Sequence, residues 1–375
     1  MRDKILMTID FQNLAVPGVQ SLRPYQPGKP IDELAREFNL DPASIVKLAS
    51  NENPIGPSPK ALQAIEKELA DLTRYPDGNG FELKQTLSNK LGIKMEQITL
   101  GNGSSDILEF IVKCFVQAGE DVVFSQHAFA IYGLVSKMVG ANCIQVPAKN
   151  WGHDLSAMAE AITSKTKIVF VTNPNNPTGT WSTKAQLEAF LQQVPDHVIV
   201  LLDEAYFEYV DETEYPSGID YLDQYPNLVI TRTFSKAYGL ASLRVGYGVS
   251  SAQIADLMNR VRPPFNVDSF ALAAAVATLN DAAYVKQSKD VNDAGMKQLE
   301  AGFEALGLRW IPSVGNFISF EVQQASLVFD ELLKNGVIVR PVANYEMPNH
   351  LRVSIGTEKE NQRFLDVLKQ VLGSL

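Results

Sequence analysis

Lys236 stands in the run TRTFSKAYGLASLRVGYG (231–248), directly after the apolar segment NLVIT, and other apolar segments end in equally polar residues. KIVFV leads into TNPNNPTGT with Asn176, and VIVLL leads into DEAYFEY with Asp203 and Tyr206. ITLGNGSSDILEF places a Gly-rich turn, with Ser104 and Ser105, at the start of a helical pattern. A lysine amine at a buried strand end can form an imine with a carbonyl compound. Desolvation or nearby positive charge lowers its pKa enough to make it a usable base. A Gly-rich turn opening a helix offers backbone N–H groups to a small anion. Taken singly, each piece has an ordinary explanation: a capped turn, an Asn-Pro turn, a helix cap, a solvated lysine.

What must position these residues is legible around them. DVVFSQ, KIVFVTNP, HVIVLLDEAY, NLVITRTFSK and RVGYGVS are short Val/Ile-rich runs ending in turns, and they read as strands buried on both faces. DILEFIVKCFVQAG and STKAQLEAFLQQV between them carry apolar residues at three- and four-residue spacing, which predicts helices. Alternation of this kind predicts an α/β fold with a largely parallel sheet covered by helices. In such sheets ligands bind at the carboxyl ends of the strands, where the polar residues above fall. Residues 1–44, broken by Pro and Gly, predict an N-terminal arm. Residues 45–267 predict the large domain, and residues 268–375, opening on a long helical stretch, a smaller α+β domain that the arm joins.

Composition narrows the function classes. The chain has 375 residues, 45% hydrophobic and 20% charged, which suits a large folded enzyme with a substantial core. A net charge of -10 speaks against nucleic acid as a partner, since phosphate backbones select basic faces. Cys114 and Cys143 make no disulfide framework, and the four histidines are scattered without metal-ligand spacing, so no metal is expected. No segment reaches membrane-spanning length and no secretory leader is evident, which predicts a cytoplasmic protein without a membrane partner.

The order Gly-rich turn, aromatic, NNPTG, DEAY, SK and then Arg244 resembles the fold-type I aminotransferases that use pyridoxal 5'-phosphate, over nearly the whole chain. That resemblance implies a mostly parallel seven-stranded sheet between helices plus the smaller C-terminal domain. It implies Lys236 as the covalent anchor and proton carrier, Asp203 beside the ring nitrogen, and Asn176 and Tyr206 on the phenolic oxygen. The cofactor phosphate would fall to Ser104, Ser105, Thr233, Ser235 and Arg244. Phe129, in SQHAFAIY, aligns with the aromatic that covers the ring; many relatives carry Tyr there, and Phe keeps the stacking face without the hydroxyl.

SLRPYQPGKP, LASNENPIGPSPKA, RYPDGNGFELKQTLS, VRPPFNVDSFALAAA and GVIVRPVANYEMPNHLRVSIGT resemble, more narrowly, the histidinol-phosphate aminotransferase family. By that resemblance Tyr25, Asn53, Arg340 and Arg352 line the substrate side, and Tyr75 reaches the neighbouring subunit's site in a homodimer. The implied substrates are histidinol phosphate and the glutamate/2-oxoglutarate pair, and paired guanidinium groups can take both phosphate and carboxylate. The alternatives on the same scaffold are an aromatic amino-acid aminotransferase and a phosphoamino-acid decarboxylase. A cofactor-binding transcription regulator is a third, and it would call for a basic DNA-binding module.

Overall fold

The structure is a computed structural model that describes residues 10–25 and 28–375. Seven strands form the main sheet: β1 (Ile98–Asn102), β2 (Asp121–Ser125), β3 (Asn142–Val146), β4 (Thr166–Thr172), β5 (Ile199–Asp203), β6 (Leu228–Thr233) and β7 (Val245–Ser250). Their spatial order is β1-β7-β6-β5-β4-β2-β3. β7 runs antiparallel to both of its neighbours, and all other pairs are parallel.

The central strands read as continuous apolar runs because both of their faces are covered. Val169 and Val171 of β4, with Val200 and Ile230, enter one core, while Ile168 and Phe170, with Leu201 and Val229, enter the core on the opposite face. Each fully buried aliphatic side chain contributes about 1.5–3 kcal/mol, so this two-sided burial fixes the register at which the strand ends line up. Thr172 of β4 thereby pairs with Asp203 of β5, and Asp203 with Thr231 of β6.

A second lobe is built on β8 (Trp310–Ile311), β9 (Phe317–Glu321), β10 (Arg340–Pro341) and β11 (His350–Ser354), ordered β10-β11-β9-β8 with every neighbouring pair antiparallel. Phe303, Phe320, Val328, Leu351, Val353 and Phe364 form part of its core, against helices Ala282–Ala305, Ala325–Lys334 and Glu358–Ser374. The N-terminal segment joins this lobe. Val46–Lys47 pairs in parallel with Val337–Ile338, and Leu34, Ala35 and Ile45 pack on Leu333 and Ile338.

The helical stretch from residue 268 is broken, contrary to the single long element its pattern predicts. Helix Ser269–Leu279, capped by Asp268, ends at Asn280, and a new helix starts at Ala282. Ala271, Ala274, Ala275 and Leu279 of the first helix lie in the core of the large lobe. By packing, the change of lobe therefore falls inside helix Ala282–Ala305, between Val285, which packs on the large-lobe core, and Met296, which packs on the small-lobe core, and not at the expected 267/268. Small alanines allow the helix to approach Pro59–Glu68 closely, and a hydrophobic pattern alone does not say which core an apolar helix enters. Among the described residues no helix is long and apolar enough to cross a membrane.

Candidate active site

The carboxyl ends of β4, β5 and β6 open into a cavity of about 280 Å³ between the lobes. Thr172, Asn176, Asp203, Tyr206, Thr233, Ser235, Lys236 and Arg244 reach it from the large lobe, together with Ser104, Ser105 and Phe129. Tyr25, Arg340, Tyr345 and Arg352 close the other side. The sequence places these residues there by a common device: each apolar strand stops at the same level, and the polar residue just beyond it points into the gap.

Lys236 donates from Nζ to the carbonyl oxygen of Ser50 at 3.0 Å, and its amine lies 5.9 Å from the centre of the Tyr206 ring. Burial, then the positive charge of Arg352, lowers its pKa from 10.5 to about 7. Asp203 is buried, and burial raises the pKa of its carboxyl group. Tyr132 opposes that shift by donating from Oη to Asp203 Oδ2 at 2.8 Å, and the Ala205 N–H adds a donor to Oδ1 at 3.2 Å. Tyr206 is held by two amides, Asn51 Nδ2 at 2.9 Å and Asn176 Nδ2 at 3.1 Å, both donating to its Oη. Burial raises the Tyr206 pKa, so the phenol stays protonated.

A basic corner lies next to Lys236. The helix Ser104–Phe115 begins at Gly103 with no side-chain cap on its N-terminal N–H groups, and those groups are what a small anion would bind. Arg244 sits beside it with a left-handed φ of 51° and donates from Nη1 to Ser235 Oγ at 3.2 Å. A Cβ on Gly103 would overlap Arg244 Nη2, and one on Gly246 would overlap the Ser104 nitrogen, so glycine is required at both close approaches. Thr233 Oγ1 accepts from the Ser235 N–H at 3.1 Å and shapes the same loop.

On the small lobe, Arg340 and Arg352 face each other across the β10–β11 pair. Arg352 is buried and donates from Nη1 to Asn176 Oδ1 and from Nη2 to Ala49 O; its Nε has no partner among the described residues. Arg340 lies over the Tyr25 ring at 5.4 Å.

Two of the predicted residues stand apart from the cavity. Asn53 donates to Ala237 O at 2.9 Å and to Ser288 Oγ at 2.8 Å, tying the segment after Lys236 to helix Ala282–Ala305. Its short amide is consumed by those bonds. Tyr75 is 81% exposed and stacks on Phe265 at 4.7 Å, on the outside of this chain. Sequence reasoning missed Asn51, Tyr132 and Tyr345. All three lie inside motifs that drew attention for other residues, ASNENPIGPSP, SQHAFAIY and GVIVRPVANYEMPNHLRVSIGT, but only the fold shows that their polar ends turn inward.

The donor set fits pyridoxal 5'-phosphate: uncapped helix N–H groups with Arg244 and Ser235 for a phosphate dianion, a buried carboxylate for a protonated ring nitrogen, two amides and a phenol for a phenolate, and a lysine of lowered pKa for the aldehyde.

Comparison with known proteins agrees with this chemistry. The sequence profile of the family Aminotransferase class I and II matches residues 43–368. Histidinol-phosphate aminotransferase 2 of Pseudomonas fluorescens is 61% identical over 98% of this chain and 99% of its own length. Histidinol-phosphate aminotransferase of Methylobacillus flagellatus is 55% identical over 96% of this chain and 98% of its own. Among solved structures, histidinol-phosphate aminotransferase from Sinorhizobium meliloti in complex with pyridoxal-5'-phosphate superposes with a TM-score of 0.88 at 29% identity, covering 96% of this chain and 97% of that one. With every cavity residue but Tyr25 and Gly28 inside the matched span, this chain belongs to the class I and II aminotransferases and, within them, to the histidinol-phosphate aminotransferase family.

Proposed function

We propose that this protein uses pyridoxal 5'-phosphate to exchange an amino group between L-histidinol phosphate and 2-oxoglutarate, giving 3-(imidazol-4-yl)-2-oxopropyl phosphate and L-glutamate. One observation carries this reading: a single cavity gathers the Lys236 amine, the Asp203 carboxylate and two guanidinium groups, Arg340 and Arg352. Bound there, the cofactor would supply an electron sink for the pair left when a proton leaves the donor's amino-bearing carbon. Lys236, Ser104, Ser105, Thr233, Ser235, Arg244, Asn176, Tyr206 and Asp203 are the residues that would hold it, with Phe129 on the ring face.

The chain's own groups do the rest. With a pKa of about 7, Lys236 is roughly half neutral near neutral pH, so its Nζ can accept that proton and later return it. Asp203, kept available as a carboxylate by Tyr132 and the Ala205 N–H, holds positive charge opposite it. Arg340 and Arg352 bind the phosphate of one substrate and the carboxylates of the other in turn. Arg340, Tyr345 and Arg352 of the small lobe wall the cavity on its other side.

The active unit in this proposal is a homodimer in the cytoplasm, with Tyr75 completing the partner's site. Initial rates with L-histidinol phosphate, phenylalanine and threonine phosphate, each with 2-oxoglutarate as acceptor, test the substrate assignment. The highest kcat/KM is expected for L-histidinol phosphate; a higher value for phenylalanine would move the protein to the aromatic aminotransferases.

A further inference from the structure

The two walls of the cavity are joined by a contact that none of the catalytic groups explains. His127, buried on the loop after β2, bonds through Nδ1 to the carbonyl oxygen of Tyr345 on the small lobe. A carbonyl only accepts, so the ring carries its proton on Nδ1. The backbone oxygen of the same residue accepts from Asn175 Nδ2 at 3.2 Å, beside Asn176. His127 thus touches the Asn175–Asn176 turn with its backbone and the substrate-side wall with its ring. It also sits two residues before Phe129.

Neighbouring contacts run the same way across the gap. The Trp151 indole lies between two imidazoles, His127 at 5.3 Å and His350 at 4.8 Å, and His350 opens the strand that carries Arg352. Gln126 Nε2 donates to Glu346 Oε2 at 2.6 Å, and Gln145 Nε2 donates to Glu346 Oε1 at 3.2 Å. Ala130 packs on the apolar group of Ile311, Val342, Tyr345 and Met347. The backbone supports the clasp at a cost: His127, Trp151 and Glu346 all adopt left-handed φ, at 59°, 66° and 60°. Side chains in that region are strained and persist where the surroundings over-determine them.

We propose that His127 is a positioning residue for the transamination. Through Tyr345 O it sets the distance between the Phe129 wall and the Tyr345, Arg340 and Arg352 wall, and so sets how tightly the substrate's anionic end is held. It touches neither substrate nor cofactor in this account, and the inference rests on the reading of this cavity as the aminotransferase site.

Two substitutions separate the ring from the backbone. His127→Gly relaxes φ and removes the donor. His127→Asn tolerates left-handed φ and places an amide N–H near the position of Nδ1. One hydrogen bond contributes about 0.5–1.5 kcal/mol, so His127→Gly is expected to raise KM for L-histidinol phosphate roughly 3- to 10-fold with kcat changed less than about twofold, and His127→Asn to recover most of the loss. An unchanged KM in His127→Gly, or a raised KM that His127→Asn does not rescue, overturns the proposal. So does a fall in thermal stability without any change in KM. If His127→Gly does not fold, Glu346→Gly, which cuts the Gln126 and Gln145 bonds, carries the test: a raised KM supports the clasp and an unchanged one overturns it. Measuring KM for glutamate in parallel keeps the two readings apart. A wild-type protein that uses glutamate but not L-histidinol phosphate defeats the substrate assignment, and the glutamate KM of the variants then decides the clasp.

Discussion

Tyr132 Oη lies 2.8 Å from Asp203 Oδ2 and 2.7 Å from Thr172 Oγ1, so the buried carboxylate at the end of β5 is met by a phenol from the helix Ala130–Met138. Burial raises the pKa of both groups, and their hydrogen bond is the largest of the contacts that favour the charged form of Asp203, ahead of those from Thr231 and the Ala205 N–H. A hydrogen bond to a charged group contributes about 1.5–3 kcal/mol. Tyr132→Phe is therefore expected to lower kcat by roughly 10- to 100-fold and to move the acid limb of its pH profile upward, because a carboxylate without that donor holds its proton to higher pH. Steady-state rates between pH 5 and 9, run beside a thermal melt, check this.

Lys236 gives a stability prediction with a defined sign. Its pKa falls from 10.5 in the unfolded chain to about 7 in the folded one. Between those values the unfolded state binds the proton and the folded state does not. Folding of the cofactor-free protein is therefore penalised fully below pH 7, and the penalty fades as pH rises from 7 to 10.5. Lys236→Met removes the titrating group. The variant is expected to gain stability over the parent at pH 7, with the gain shrinking toward pH 10.5; urea titrations of both cofactor-free proteins across this range measure it.

Gly103 tests the anion corner. Its φ of 78° already disfavours a side chain, and a Cβ would displace the Arg244 guanidinium. Gly103→Ala is expected to weaken cofactor retention by at least about tenfold, the loss of one charge-assisted contact. Gly92→Ala, at φ 68° with open space around it, carries similar backbone strain and is expected to retain the cofactor normally. Spectral titration of both after dialysis distinguishes local displacement from general strain.

Tyr75 tests the shared site. If it serves the partner, a Tyr75→Phe chain paired with a Lys236→Ala chain forms one complete site per mixed dimer. Co-refolded mixtures are then expected to exceed the mean activity of the two parents, and activity equal to that mean would contradict the shared site.

The central sheet was legible because β4, β5 and β6 bury both faces and so carry unbroken Val/Ile/Leu runs, each stopping at a polar turn. Lys236, Asp203, Tyr206 and Asn176 were legible for the same reason: they sit at those stops or in the turns that follow them. The antiparallel course of β7 was not, since RVGYGVS carries no mark of direction. Nor was the placement of Ser269–Leu279, whose alanines are apolar on every side and suit either core. Tyr132 and Asn51 escaped because their roles depend on contacts 71 and 155 residues away in the chain. Asn53 drew a substrate role from its motif, whereas its amide is engaged by Ala237 and Ser288, a packing relation that no local pattern encodes.

The most direct measurement is borohydride reduction of the protein supplied with pyridoxal 5'-phosphate, followed by peptide mapping, with Lys236→Ala treated in parallel. One equivalent of cofactor on the peptide containing Lys236, with no stoichiometric adduct and no turnover in Lys236→Ala, is the predicted result. Stoichiometric labelling at another lysine, or normal turnover in Lys236→Ala, would contradict the account.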